Sequence, residues 1–191
     1  IMSSNISRRR FIQSGATVAA GLTVVPSAVL GKSKGHISPS DKLNIAGVGV
    51  GGRGFTVLRG MESQNIIALA DVDWKYSKRV FDYFPNAKRY YDYRKMYDEL
   101  GKSIDAVMIA TSDHTHAVIA ADAITMGKHV YVEKPLTHSV YESRLLTRLA
   151  EKFKVATQMG NTAASGPGVR QIIDWIWDGQ IGEVRRVDAY T

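Results

Sequence analysis

The chain has 191 residues, 45% hydrophobic and 23% charged, with no cysteine. That length accommodates one ordinary domain and part of another, the balance excludes fibrous and disordered classes, and the missing thiols exclude disulfides and thiolate sites. Most of the formal charge of +7 is local: Arg8, Arg9, Arg10, Lys32 and Lys34 supply +5, leaving +2 and no basic, aromatic-interleaved stripe for nucleic acid.

In chain order, Ser7 to Gln13 carries three arginines and leads into an apolar stretch from Ala16 to Leu30, interrupted by Gly21 and Pro26. A basic segment followed by an apolar run too short for a bilayer predicts an export signal. The arginines beside Phe11 resemble the twin-arginine signal that carries folded proteins across a bacterial inner membrane. Residues 1–36 are therefore expected to be signal and linker. Partnership with the twin-arginine machinery and folded export to the periplasm follow. Pro26 fits poorly with cleavage after Ala28, so retention as a membrane anchor is the alternative.

Leu43 to Val50 reads as a buried strand and Arg53 to Met61 as the start of a helix. Gly47, Gly49 and Gly52 lie between and within them, and Asn65 to Ala70 forms a second strand ending in Asp71. Gly47 is assigned to the tight turn, Gly49 to close approach of a pyrophosphate and Gly52 to helix–strand packing. The helix N-terminus offers unpaired N–H groups to that anion. Asp71, nineteen residues beyond Gly52, stands where a carboxylate accepts bonds from an adenosine ribose. The whole strand–turn–helix–strand–Asp series predicts a dinucleotide site.

Beyond it come helices near Lys75–Tyr83 and Tyr93–Leu100, with a short strand at Arg89–Tyr91. Ala106 to Ala110 is a buried strand, Ala117 to Met126 an alanine-rich helix and His129 to Val132 a strand. Ser139 and Glu142 form a capping box for a helix to Lys154, with Leu145, Leu146, Leu149 and Phe153 on its core stripe. Ala156–Met159 reads as a strand, Val169–Trp177 as a helix and Arg185–Tyr190 as a final strand. This alternation predicts an α/β class: a doubly wound, mostly parallel Rossmann-type sheet, with only the beginning of a second α/β domain. Residues 37–160 are the dinucleotide-binding domain, and 161–191 the interdomain helix and first strand of a truncated second one.

Ligands in such sheets sit at the C-terminal strand ends. Three loops leave those ends here, at Thr111–Thr115, Glu133–Thr137 and Gly160–Gly168. Asp113 or Thr115 is expected to cap the following helix, with His116 in its first turn. The two histidines of this loop lack further ligands at metal-binding spacing, and no metal site is predicted. Glu133-Lys134-Pro135 puts an acid–base pair at the crevice on a turn that Pro135 stiffens. Lys134 can bond a substrate hydroxyl, stabilise alkoxide character or relay a proton.

Gly47 to Gly52, Ala70 to Asp73, Val107 to His116, Gly127 to Leu136 and Gly179 to Val184 together resemble the glucose–fructose oxidoreductase, inositol dehydrogenase and rhizopine-catabolism oxidoreductase family. The resemblance implies that Gly47, Gly49 and Gly52 surround the pyrophosphate, that Arg53 also binds the cofactor and that Asp71 takes the ribose. It puts Thr111, His116, Glu133 and Lys134 on the nicotinamide side, Lys134 as catalytic residue and Asn161 facing substrate. Asp71 favours NAD over NADP by opposing a ribose phosphate, although Arg53 and Lys75 are nearby cations. Many members have a cis bond before the matching proline. The chain departs from exported relatives at Thr162-Ala163-Ala164 and carries Ser112 where a loop proline is common.

The implied activity of the full-length parent is hydride transfer between a nicotinamide and a sugar or cyclitol hydroxyl carbon. The alternatives are glycoside cleavage by transient oxidation and elimination, and noncatalytic nucleotide binding. The expected partners are a sugar, cyclitol or glycoside and, at full length, other copies of the chain in a homo-oligomer.

Overall fold

The computed structural model describes residues 41–161 and 165–190. The chain divides into two units, Ile1–Lys42 and Leu43–Thr191, and the described fold belongs to the second. The export-signal pattern at Ser7–Leu30 and the Thr162–Ala164 segment lie outside the described residues. Among the described residues, no helix is long and apolar enough to cross a membrane.

Six strands form one sheet: β1 (Asn44–Val48), β2 (Asn65–Ala70), β3 (Lys88–Tyr90), β4 (Ala106–Ile109), β5 (His129–Glu133) and β6 (Thr157–Gly160). Their order is β3-β2-β1-β4-β5-β6, and every neighbouring pair is parallel. The order reverses between β1 and β4, and this opens a crevice above their C-terminal ends. The helices are α1 (Arg53–Gly60), α2 (Lys78–Tyr83), α3 (Tyr93–Leu100), α4 (His116–Thr125), α5 (Val140–Phe153) and α6 (Pro167–Trp177).

Parallel strands bury both faces, and the alternation along β1 shows it. Ala46 and Val48 join one core with Met96, Ile119 and Ala123, while Ile45 joins the other with Phe55, Leu58 and Phe81. The capping box on α5 forms as expected. Ser139 Oγ accepts from the Glu142 N–H at 3.3 Å, and Glu142 Oε2 accepts from the Ser139 N–H at 2.9 Å. Of its apolar stripe only Leu146 is fully buried, with Leu149 and Phe153 half-buried against the same core.

Two expectations change. Neither Asp113 nor Thr115 caps α4 with its side chain; a 3₁₀ turn over Asp113–Thr115 leads in, and Thr115 Oγ1 donates to Thr111 Oγ1 at 2.7 Å. Arg185–Tyr190 forms no strand pairing. A strand exists only through a neighbour's hydrogen bonds, and no described strand lies beside this segment, where Val187 and Tyr190 are exposed.

Tyr93 Oη donates to Asp122 at 2.8 Å and Tyr90 Oη to Glu99 at 2.7 Å. Burial first, and then these carboxylates, push both phenols up to about 12. The folded state therefore holds these protons longer than the unfolded chain. The resulting stability is complete below pH 10, the ordinary phenol value, and is lost as pH rises towards about 12. Melting temperatures followed from neutral to alkaline pH should fall more steeply in that window for the native chain than for a Tyr90→Phe/Tyr93→Phe variant. Equal slopes would remove these phenols from the alkaline limb.

Candidate functional site

β1 ends at Val48, so the turn above it starts at Gly49. The glycine spacing first read at Gly47, Gly49 and Gly52 recurs two residues later at Gly49, Gly51 and Gly54, and that is the register the fold uses. Gly47 lies inside the sheet between Leu69 and Met108. A side chain there would press on Leu58 of α1, with the Leu58 Cδ1 only 3.2 Å from its Cβ. Gly49 has φ +73°, and its Cβ would stand 2.7 Å from the Thr111 nitrogen. Gly54, in the first turn of α1, would drive a Cβ into the carbonyl oxygen of Gly49. Close helix–strand packing thus belongs to Gly47 and Gly54, not to Gly52. Taking the strand as far as Val50 hid this register.

Gly52 precedes α1 with no side-chain cap, leaving the helix N-terminus to other acceptors. Asp71 already engages the turn. Its Oδ2 accepts from the N–H groups of Val50 and Gly51 at 2.8 and 3.1 Å, and its Oδ1 from Asp73 at 2.9 Å. These bonds fix the carboxylate beside the glycine turn, at the wall of a cavity of about 850 Å³. Gly49, Gly51, Arg53, Asp71, Thr111 and Thr115 all border that cavity. An uncapped helix end, a glycine cradle and an adjacent carboxylate suit the pyrophosphate and ribose of a dinucleotide.

The sequence reading missed the aromatic side of this cavity, formed by Tyr76, Tyr91 and Tyr93 with Arg94. Tyr76 lies over Gly51 and Gly52, filling the space their side chains would take. Tyr91 stacks on Trp74 with ring centroids 4.0 Å apart. Arg94 bonds Asp92 at 3.0 Å and holds that carboxyl below its ordinary range. The Tyr91 to Arg94 cluster directly after β3 was the signal available.

The nicotinamide-side residues assigned from the sequence divide into groups. Thr111 borders the cavity. His116 is 1% exposed and does not. Its Nδ1 lies 2.6 Å from the Pro135 carbonyl oxygen and its Nε2 lies 3.1 Å from that of Thr111. Both bonds form together only with the doubly protonated ring. In this structure His116 joins two loops from below instead of presenting a nitrogen to a ligand.

The Lys134–Pro135 bond is cis. Lys134 is exposed, whereas Glu133 before it is 5% exposed. Glu133 Oε1 accepts from Arg53 Nε at 3.0 Å and from Tyr131 Oη at 3.2 Å. Burial first, and then Glu133, push the Tyr131 phenol up. Gly160 pairs opposite Glu133, and Asn161 follows it at the same sheet edge, exposed. The sheet therefore brings the glycine turn, Thr111, Glu133-Lys134 and Asn161 to one end.

A family model described as an oxidoreductase family with an NAD-binding Rossmann fold matches residues 42–161. The chain belongs to this family. Among solved structures, an NAD binding oxidoreductase from Klebsiella pneumoniae is similar with a TM-score of 0.61 and 27% identity, over 74% of this chain and 40% of that one. Among curated relatives, "Glycosyl hydrolase family 109 protein 1" of Shewanella sp. (strain MR-4) is 30% identical over 97% of this chain and 46% of its own length. An alpha-N-acetylgalactosaminidase of Shewanella oneidensis is 28% identical over the same shares. The chain thus spans about half the length of the curated relatives it matches.

The packing of Gly54 generates a test of the corrected register. A Gly54→Ala chain should be destabilised by about 1–3 kcal/mol through overpacking against Gly49, measured by urea unfolding. Gly60→Ala, where a Cβ meets nothing within 4 Å, serves as the neutral control. Equal stability of the two variants would refute the Gly54 contact.

Proposed function

We propose that the full-length protein oxidises a hydroxyl carbon of a sugar or cyclitol by hydride transfer, with NAD as its nucleotide. The observation that carries this reading is the Arg53–Glu133 contact of 3.0 Å. It brings the first residue of α1 against the residue preceding Lys134, which supports a reading in which the phosphate cradle and the candidate proton-handling amine serve one nucleotide.

Bound NAD would supply the two-electron acceptor. The chain's own residues do the rest. Gly49, Gly51 and the N-terminus of α1 hold the pyrophosphate, and Asp71 receives the ribose while opposing a 2′-phosphate. Thr111 borders the same cavity and would contact the nucleotide there. Lys134 holds the substrate hydroxyl and takes its proton as the carbonyl forms, which stabilises alkoxide character as it develops. Asn161 stands at the adjacent strand end on the substrate side.

A second reading has a specific observation in its favour: curated relatives named as a family 109 glycosyl hydrolase and as an alpha-N-acetylgalactosaminidase. In that reading the same oxidation opens the cycle. Elimination of the glycosidic oxygen, addition of water and return of the hydride close it, with no net reduction of nucleotide.

Incubating the full-length protein with NAD and a panel of polyols and glycosides separates the two. A dehydrogenase accumulates one reduced nucleotide per carbonyl product. A glycosidase releases free sugar with no reduced nucleotide left over. In either case Lys134→Met should lower kcat by about 10²–10⁴-fold while leaving NAD affinity within about threefold. Unchanged turnover in Lys134→Met would overturn the role given to that amine.

A further inference from the structure

We infer that Arg53 is a positioning residue for Lys134, acting through Glu133, and not a ligand of the nucleotide phosphates. The inference rests on the proposed role of Lys134.

Arg53 is the first residue of α1, where a cation opposes the partial positive charge of the helix end. No acidic residue lies in that first turn to offset it. The compensating carboxylate arrives from β5, eighty residues away in sequence, as Glu133. Two strand positions separate their elements, because β4 runs between β1 and β5. The ion pair therefore ties the start of the dinucleotide helix directly to the end of the strand that delivers Lys134.

Three features hold Glu133 in that role. Its side chain is 7% exposed, against 47% for Arg53, so the carboxylate is fixed in the interior while the cation closes it from outside. The Tyr131 phenol donates to the same Oε1 and also interacts with Arg53, giving a three-member network. Gly160 of the neighbouring strand leaves room for it, since a Cβ there would lie 2.5 Å from Tyr131 Oη and 2.7 Å from Glu133 Oε1. With its Oε1 engaged by two donors, Glu133 is a poor candidate for moving a proton itself.

On the far side of Lys134, the carbonyl of Pro135 meets Nδ1 of buried His116. Lys134 is thus bracketed. The residue before it is anchored by its side chain and the residue after it by its backbone, while Lys134 itself is exposed. Holding the flanks and leaving the amine unencumbered is what orientation of a proton-handling group requires.

The test uses Arg53→Gln and Arg53→Lys in the full-length protein. NAD affinity is read by titration, turnover by kcat and KM, and backbone order at Glu133–Leu136 by amide hydrogen exchange. Arg53→Gln should leave NAD affinity within about threefold, lower kcat by about 10–100-fold and speed exchange at Glu133–Leu136 by about tenfold. Arg53→Lys should restore part of kcat.

Loss of NAD affinity by tenfold or more with kcat unchanged would make Arg53 a nucleotide ligand and overturn the inference. Unchanged exchange at Glu133–Leu136 would overturn it as well. Tyr131→Phe, which removes one donor and no charge, should speed exchange in the same segment by a smaller factor. If the native protein turns over no polyol or glycoside, the proposed function fails; the exchange measurement still decides whether Arg53 orders the Lys134 turn.

Discussion

The contact on which this site depends is the one between α1 and the turn above β1. Gly54 lets the first turn of α1 rest on the carbonyl of Gly49, and Gly49 takes a positive φ that brings the backbone against Thr111. With those approaches made, β1, α1 and the loop after β4 share one small volume. The helix N-terminus then points into the crevice, and Arg53 comes within reach of β5. A bulkier residue at either glycine would push these elements apart and misdirect everything above the sheet.

Around that contact, charge is arranged in compensating pairs. Asp71 lies where the turn presents N–H groups, and Glu133 lies where α1 presents Arg53 and its own positive end. Asp71 lies on the aromatic-lined side of the cavity near Tyr76 and Tyr91, and Glu133 precedes Lys134. Their environments differ. Asp71 borders the open cavity and is bonded by backbone donors, whereas Glu133 is buried and bonded by the side chains of Arg53 and Tyr131. A dinucleotide laid between them would have its anionic centre over the uncapped helix end.

Family membership fixes the kind of fold and nucleotide. The solved NAD binding oxidoreductase and the curated glycosyl hydrolase both exceed this chain in length by about a factor of two. Oxidation of a sugar carbon is common to the two proposed readings. What divides them is the fate of the hydride.

The sequence by itself determined the alternation of strands and helices, because apolar strands ending in glycine, aspartate or proline have few other ways to fold. It also marked Asp71 and Thr111, which border the cavity, since polar side chains just beyond core strands stand at the strand ends. The capping box at Ser139 and Glu142 was legible because its two bonds are local. Only the tertiary structure decided the glycine register, because whether Gly47 or Gly49 opens the turn depends on where β1 stops pairing with β2 and β4. The same holds for Arg53 with Glu133 and for His116 with Pro135. Those pairs join residues distant along the chain, and no local spacing encodes the distance between strand ends that brings them together.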